Sequence, residues 1–237
     1  MTQSWDFNVL GEVLQVDKPQ AWTSFDVVRK VRNLFHIRKI GHAGTLDPLA
    51  TGLLVLCTGP KTKLITTYVG YDKEYIGTFR LGIRTASFDM ETPVEEERPW
   101  SHISSAVVEE AVKAFLGPQD QMPPMYSAAK YKGRALYKYA RQGKSIERVP
   151  RQVDISSIET THVSLPDVHF RLVCSKGTYV RSLVHDIGER LGCGATLTSL
   201  RRTRVGPWSV GDAWTMEQLE EARQLLHAET YEVRPTS

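Results

Sequence analysis

The residues best suited to chemistry lie in one twelve-residue stretch, Gly41-His42-Ala43-Gly44-Thr45-Leu46-Asp47-Pro48-Leu49-Ala50-Thr51-Gly52. Asp47 is its only carboxylate and His42, five residues earlier, its only imidazole. The surrounding residues are small or apolar, and the glycines let the backbone take positive φ and let a ligand approach closely. The residue before a proline is kept out of the helical region, so Asp47 is expected in a turn or extended conformation. The stretch then runs into Leu53-Leu54-Val55-Leu56-Cys57-Thr58, an apolar run of strand length. Together these features describe a compact loop at the mouth of a buried strand, presenting one acid to an uncrowded space. A carboxylate, with a reference pKa of ~3.9, is ionised at neutral pH and can serve as a nucleophile. A plain turn is the alternative, because Asp and Pro are ordinary turn residues.

Other chemistries lack their residues. The chain has no Gly-x-x-x-x-Gly-Lys-Ser/Thr, no Gly-x-Gly-x-x-Gly and no Gly-x-Ser-x-Gly. Its seven histidines show no metal spacing, and its three cysteines, Cys57, Cys174 and Cys193, form no Cys-x-x-Cys pair. A site without metal or cofactor is therefore expected, in a protein of the reducing cytoplasm. No run approaches the ~20 apolar residues of a membrane span, and Met1–Val9 does not read as a signal peptide. The 237 residues suffice for one large domain, and a net charge of +3 permits a nucleic-acid partner without demanding one.

The elements that would position Asp47 can be read along the chain. Gly11–Pro19 alternates as a short strand. Thr23 or Ser24 caps a helix with Val27, Val28, Val31, Leu34 and Phe35 on one face and Arg29, Lys30 and Arg32 on the other. Lys61–Tyr68 reads as a short helix. Lys73–Leu81 alternates as a half-buried strand with Tyr75, Gly77, Phe79 and Leu81 on one side. Arg84–Pro99 reads as polar and irregular, and Ser104 or Ser105 caps a helix that Gly117-Pro118 stops. Strands follow at Val153–Glu159 and His169–Cys174, then a helix ending near Gly192, a strand over Ala195–Val205, and a last helix from Met216 that fades by His227 with a short tail. These elements predict an α+β fold: a mixed, largely antiparallel central sheet with flanking helices and Asp47 in a cleft.

Residues 121–151 differ in character. Lys130, Lys132, Arg134, Lys138, Arg141, Lys144, Arg148 and Arg151 stand against a single acid, Glu147, with Tyr131, Tyr137 and Tyr139 among them. Cations meet phosphates and rings stack on bases, so this composition suits an RNA surface. A solvated helix with inward tyrosines is the alternative.

The Gly41–Gly52 stretch resembles the signature of the TruB family of tRNA pseudouridine synthases. The resemblance continues, in the family's order, through Asp17-Lys18-Pro19, Asp72-Lys73-Glu74-Tyr75, Pro123-Pro124-Met125-Tyr126-Ser127-Ala128, Lys176-Gly177-Thr178-Tyr179-Val180-Arg181 and Leu200-Arg201-Arg202. It implies the pseudouridine synthase fold and isomerisation of uridine 55 in the T loop of tRNA, with neither metal nor cofactor. By this resemblance Asp47 is the nucleophile and Arg181 its paired cation. Tyr75 stacks on the target base and assists proton removal, Tyr179 and Leu200 complete the pocket wall, and His42 fills the space left by the extracted base. The basic insertion at about 121–151 resembles the family's RNA clamp, expected to order on tRNA. Lys18, Lys130, Lys132, Arg134 and Arg141 are the expected RNA contacts. The resemblance implies one catalytic domain over residues 1–237, acting as a monomer on the tRNA T stem-loop. The C-terminal PUA domain that many family members carry is expected to be absent. A tRNA-binding or tRNA-folding module with an idle site, and a nucleoside glycosidase with paired carboxylates, are the rival readings. The second lacks an evident second acid, since Asp17, Asp72 and Asp89 all read as loop or turn residues.

Overall fold

Alternation before Pro19 builds the first strand, and the computed structural model describes the chain from residue 5 to residue 232. In order, its main elements are β1 (Val13–Lys18), α1 (Ser24–Leu34), β2 (Ile40–Ala43), β3 (Thr51–Thr58), α2 (Ile65–Val69), β4 (Lys73–Leu81), β5 (Ile83–Thr85) and β6 (Val94–Glu97). Then come α3 (Ser105–Lys113), β7 (Gly117–Gln121), β8 (Lys130–Tyr131), β9 (Arg134–Ala135), α4 (Leu136–Ala140), β10 (Arg151–Ser164) and β11 (Asp167–Cys174). The chain finishes with α5 (Val180–Arg190), β12 (Ala195–Val205), β13 (Trp208–Ser209) and α6 (Met216–Glu232). The fold is α+β and its strand pairing is largely antiparallel, as the sequence predicts. The last helix, expected to fade by His227, runs on to Glu232; residues 233–237 lie outside the described residues.

The chain divides into two compact units. The first joins the chain up to Tyr71 with everything from Arg201 onward. Here β3 runs antiparallel to β1, from Val13 opposite Cys57 to Lys18 opposite Gly52, and antiparallel to β2. Its side chains enter two cores. Leu54 and Leu56 pack with Val16, Val27, Val31, Met216 and Leu219; Leu53 and Val55 pack with Ala43, Val205, Tyr68 and Trp208. A strand covered on both faces reads as a continuous apolar run, which is why Leu53–Cys57 shows no alternation. The expected cap of α1 is Thr23, closed reciprocally by Asp26.

The second unit spans Asp72–Leu200. In it β4, β11, β10 and β7 pair in antiparallel succession. On β4 the alternation holds: Tyr75, Phe79 and Leu81 are buried, while Ile76 and Arg80 are exposed. Two local expectations fail. Arg84–Pro99 is not irregular but contains the β5–β6 hairpin. Its second strand, Val94-Glu95-Glu96-Glu97, is wholly exposed and shows no apolar alternation; charge holds it, with Glu96 accepting from Arg84 at 3.0 Å and from Arg98 at 2.8 Å. Gly117-Pro118 likewise does not stop a helix. Helix α3 ends at Lys113 with Ala114 as its C-cap, and Gly117 opens edge strand β7, where proline is tolerated. A third difference is milder: Gly59–Leu64 is a 3₁₀ turn that leads into α2.

Candidate active site

The Asp47 loop joins β2 to β3 and is fastened from beneath by side chains far away in sequence. The Asp47 carbonyl accepts from Ala50 N at 3.1 Å, closing a turn with Pro48 at its second position. Ser24, at the start of α1, accepts from Leu46 N at 2.8 Å and donates to Leu46 O at 3.0 Å. Lys18 has no exposed surface, and its ammonium donates to the carbonyls of Pro19, Trp22 and Pro48 at 2.9, 2.6 and 3.3 Å. Arg202, equally buried, donates through Nε to Leu53 O at 2.7 Å and through Nη2 to Gly44 O at 3.0 Å. The carbonyls of Gly44, Leu46, Pro48 and Leu53 are thereby all engaged. Gly52 takes φ +101°, and a Cβ there would stand 2.3 Å from the Arg202 carbonyl, so only glycine lets β3 lie against that backbone.

Electrostatics follow from this burial. The Lys18 ammonium is pushed down to about 8, chiefly because it is out of water; the Asp47 carboxylate opposes that shift and Arg202 adds to it. His42, half-buried on β2 opposite Leu56, is also pushed below its ordinary range by burial. At neutral pH its imidazole is therefore neutral, which suits contact with a base better than proton donation. Asp47 itself is half-buried.

The second unit assembles its own group around the first turn of α5. Tyr179 is the N-cap residue, and its backbone is held at both ends by the buried Gln121 side chain, whose oxygen accepts from Tyr179 N at 2.7 Å and whose amide donates to Tyr179 O at 3.1 Å. Ser182 donates to Met122 O at 2.9 Å. Arg181 is buried, donating to Ser87 O and Tyr126 O, each at 2.8 Å, with Nε 3.5 Å from the carboxylate of Asp89. The Pro123–Ala128 motif thus supplies a backbone acceptor for the arginine. Tyr75 is buried on β4 opposite Leu172, and Leu200 is half-buried on β12.

Two of these placements differ from expectation. Lys18 is not at an RNA surface: its ammonium is sealed under the Asp47 loop, where no phosphate can reach it. Asp89 is not merely a turn residue. It is the buried carboxylate beside Arg181, across 92 positions of sequence, a partnership no local spacing could reveal. Lys130, Lys132, Arg134 and Arg141 are exposed. Three of them cover tyrosine faces, Lys132 over Tyr131 at 5.5 Å, Arg134 over Tyr139 at 4.9 Å and Arg141 over Tyr137 at 5.4 Å. Among the described residues no group of three or more His, Cys, Asp and Glu side chains could hold a metal ion, and no helix is long and apolar enough to cross a membrane.

Comparison with known proteins settles the family. A model described as "TruB family pseudouridylate synthase (N terminal domain)" matches residues 32–180, and one described as "tRNA pseudouridylate synthase B C-terminal domain" matches residues 181–234. The chain belongs to the TruB family. A tRNA pseudouridine synthase B of Chloroherpeton thalassium is 50% identical over 216 residues, covering 89% of this chain and 90% of that protein. Its counterpart in Flavobacterium johnsoniae is 48% identical over 221 residues, covering 90% and 96%. Among solved structures, a chain from a Cbf5–Nop10–Gar1 complex superposes with a TM-score of 0.73 at 27% identity; 92% of the present chain is matched, spanning 56% of that chain. As a family member the protein is an isomerase that makes pseudouridine from uridine, built on the pseudouridine synthase fold. The two family models meet at Val180 and Arg181, inside α5, whereas the compact units part after Tyr71 and after Leu200.

Proposed function

We propose that this TruB-family chain converts uridine 55 in the T loop of tRNA to pseudouridine, with Asp47 as the nucleophile. The observation that carries this reading is the fastening of the Asp47 loop. Buried Lys18, Arg202 and Ser24 fix its backbone at four carbonyls, as a site holding one reacting carboxylate within a fraction of an ångström requires. The reaction is an isomerisation: the bond from uracil N1 to ribose C1′ breaks, a bond from C5 to C1′ forms, C5 loses its proton and N1 gains one. No atom is gained or lost, and no external electron donor takes part.

Arg181 is the counter-cation proposed for Asp47. Its own backing fits the role, since Asp89 and two carbonyls fix the guanidinium in place. Tyr75 is assigned to stacking on the flipped base and to assisting proton removal from C5, Tyr179 and Leu200 to the pocket wall, and neutral His42 to the space the base vacates. Extracting a base from a folded loop costs a few kcal/mol, which aromatic stacking at ~1–3 kcal/mol per base offsets in part. The exposed 130–141 cations are assigned to the tRNA backbone, and the two units are read as one catalytic domain, active as a cytoplasmic monomer.

Incubating the protein with an unmodified tRNA transcript and mapping pseudouridine tests this. Product at position 55 alone is expected. Binding without any product would favour the idle tRNA module, and product at another position would remove the T-loop assignment. Arg181→Met is expected to lower kcat at least a hundredfold with less than a fivefold change in affinity; the reverse pattern would make it a phosphate contact.

A further inference from the structure

Helix α1 buries Val27, Val28 and Val31 and turns a contrasting stripe to solvent. Phe25 heads that stripe, 64% exposed, followed by Arg29 and Arg32, both exposed, at the i+4 and i+7 positions of the same face. A lone exposed apolar residue needs no explanation, but three observations set Phe25 apart. Its neighbour Ser24 is hydrogen-bonded in both directions to Leu46, so the Phe25 backbone lies within about 10 Å of the Asp47 loop. Its helix end is fixed, through the Thr23–Asp26 capping box and the bond from Ala21 N to Pro48 O at 2.9 Å. Arg29 is steadied by Asp26 at 2.7 Å and points the stripe's charge outward. An exposed ring on a fixed helix end, near the Asp47 loop and leading into two cations one helical turn apart, matches an unstacked base followed by its phosphates.

We infer that Phe25 is a stacking platform for an unpaired nucleotide of the substrate RNA next to the target uridine, with Arg29 receiving the adjoining phosphate. The inference rests on the proposed T-loop reaction and adds to it a binding residue outside the family motifs quoted above. Phe25 would touch the RNA but no reacting atom, so its role is in binding. Its chemistry is sequence-tolerant: any base offers a face.

The test is steady-state kinetics and equilibrium binding with a tRNA transcript across a salt series. Phe25→Ala is expected to raise KM and Kd about tenfold while lowering kcat less than threefold. Its salt dependence should keep the wild-type slope, because a ring carries no charge. Arg29→Gln should flatten that slope by about one unit. Phe25→Trp should restore binding and Phe25→Leu should not, since leucine fills the space without stacking. A wild-type KM in Phe25→Ala, or equal rescue by leucine and tryptophan, overturns the platform. So does a sedimentation shift showing that Phe25 joins two copies of the chain. Failure of the wild-type protein to modify tRNA would instead strike the parent reaction, so the two failures are separable.

Discussion

Lysines and arginines serve opposite ends in two regions of this protein. Under the Asp47 loop, Lys18 and Arg202 are sealed from solvent and spend their donors on backbone carbonyls. Along residues 130–141, Lys132, Arg134 and Arg141 stand in solvent and rest on tyrosine faces. The first set makes a loop rigid; the second holds ring faces and, at Arg141, an exposed pair with Glu91 at 3.1 Å, contacts that phosphates can replace at little cost. Residue type is the same in both regions, so burial decides the task. A basic count taken from the sequence therefore overstates the RNA-binding surface by including cations that never meet it.

Substitutions can sharpen or break that contrast. The largest effect is expected at Lys18. Lys18→Met takes the ammonium donor from the Pro19 and Trp22 carbonyls, while Pro48 O keeps Ala21 N, and should lower unfolding stability by about 3 kcal/mol in a denaturant titration. Lys132→Met, on the exposed set, should stay within about 0.5 kcal/mol of wild type. Equal losses at the two positions would erase the distinction. Next in size, Lys130→Glu with Lys132→Glu should weaken tRNA binding about tenfold and flatten its logarithmic salt dependence. An unchanged slope would take those lysines out of the interface.

The smallest effect concerns His42. Burial places its folded-state pKa below the unfolded value of 6.5. The unfolded chain thus takes up the proton first, and stability present above pH 6.5 is lost as the pH falls through the folded value. Thermal midpoints should drop between pH 7 and pH 5 in the wild-type protein and drop less in His42→Gln. Parallel curves would mean that the imidazole is not held in its neutral form by burial.

How much of this was legible beforehand depended on range. Capping by Thr23, the alternation of β4 and the two-sided burial of β3 are local patterns, and each is written in neighbouring residues. The β5–β6 hairpin was not legible, because its second strand is exposed on both sides and is held by Glu96 pairing with Arg84 and Arg98 rather than by an apolar face. Lys18 sits next to Pro19 in a motif that suggests a surface turn, yet its burial is dictated by Trp22 and Pro48 folding over it. Asp89 had no signal at all, since its partner Arg181 comes from a different element. The division into two units was hidden for a related reason. The chain leaves the first unit at Tyr71 and returns at Arg201 within a continuous strand, so no linker composition marks the border.

The nucleophile assignment is tested most directly by Asp47→Asn, an isosteric change that removes the charge and little else. Filter binding and pseudouridine mapping would be carried out on the same tRNA transcript under single-turnover conditions. Wild-type-like retention of tRNA with no pseudouridine at position 55 is the predicted result. Conversion at a rate within tenfold of the wild-type protein would contradict it and move the chemistry to another residue.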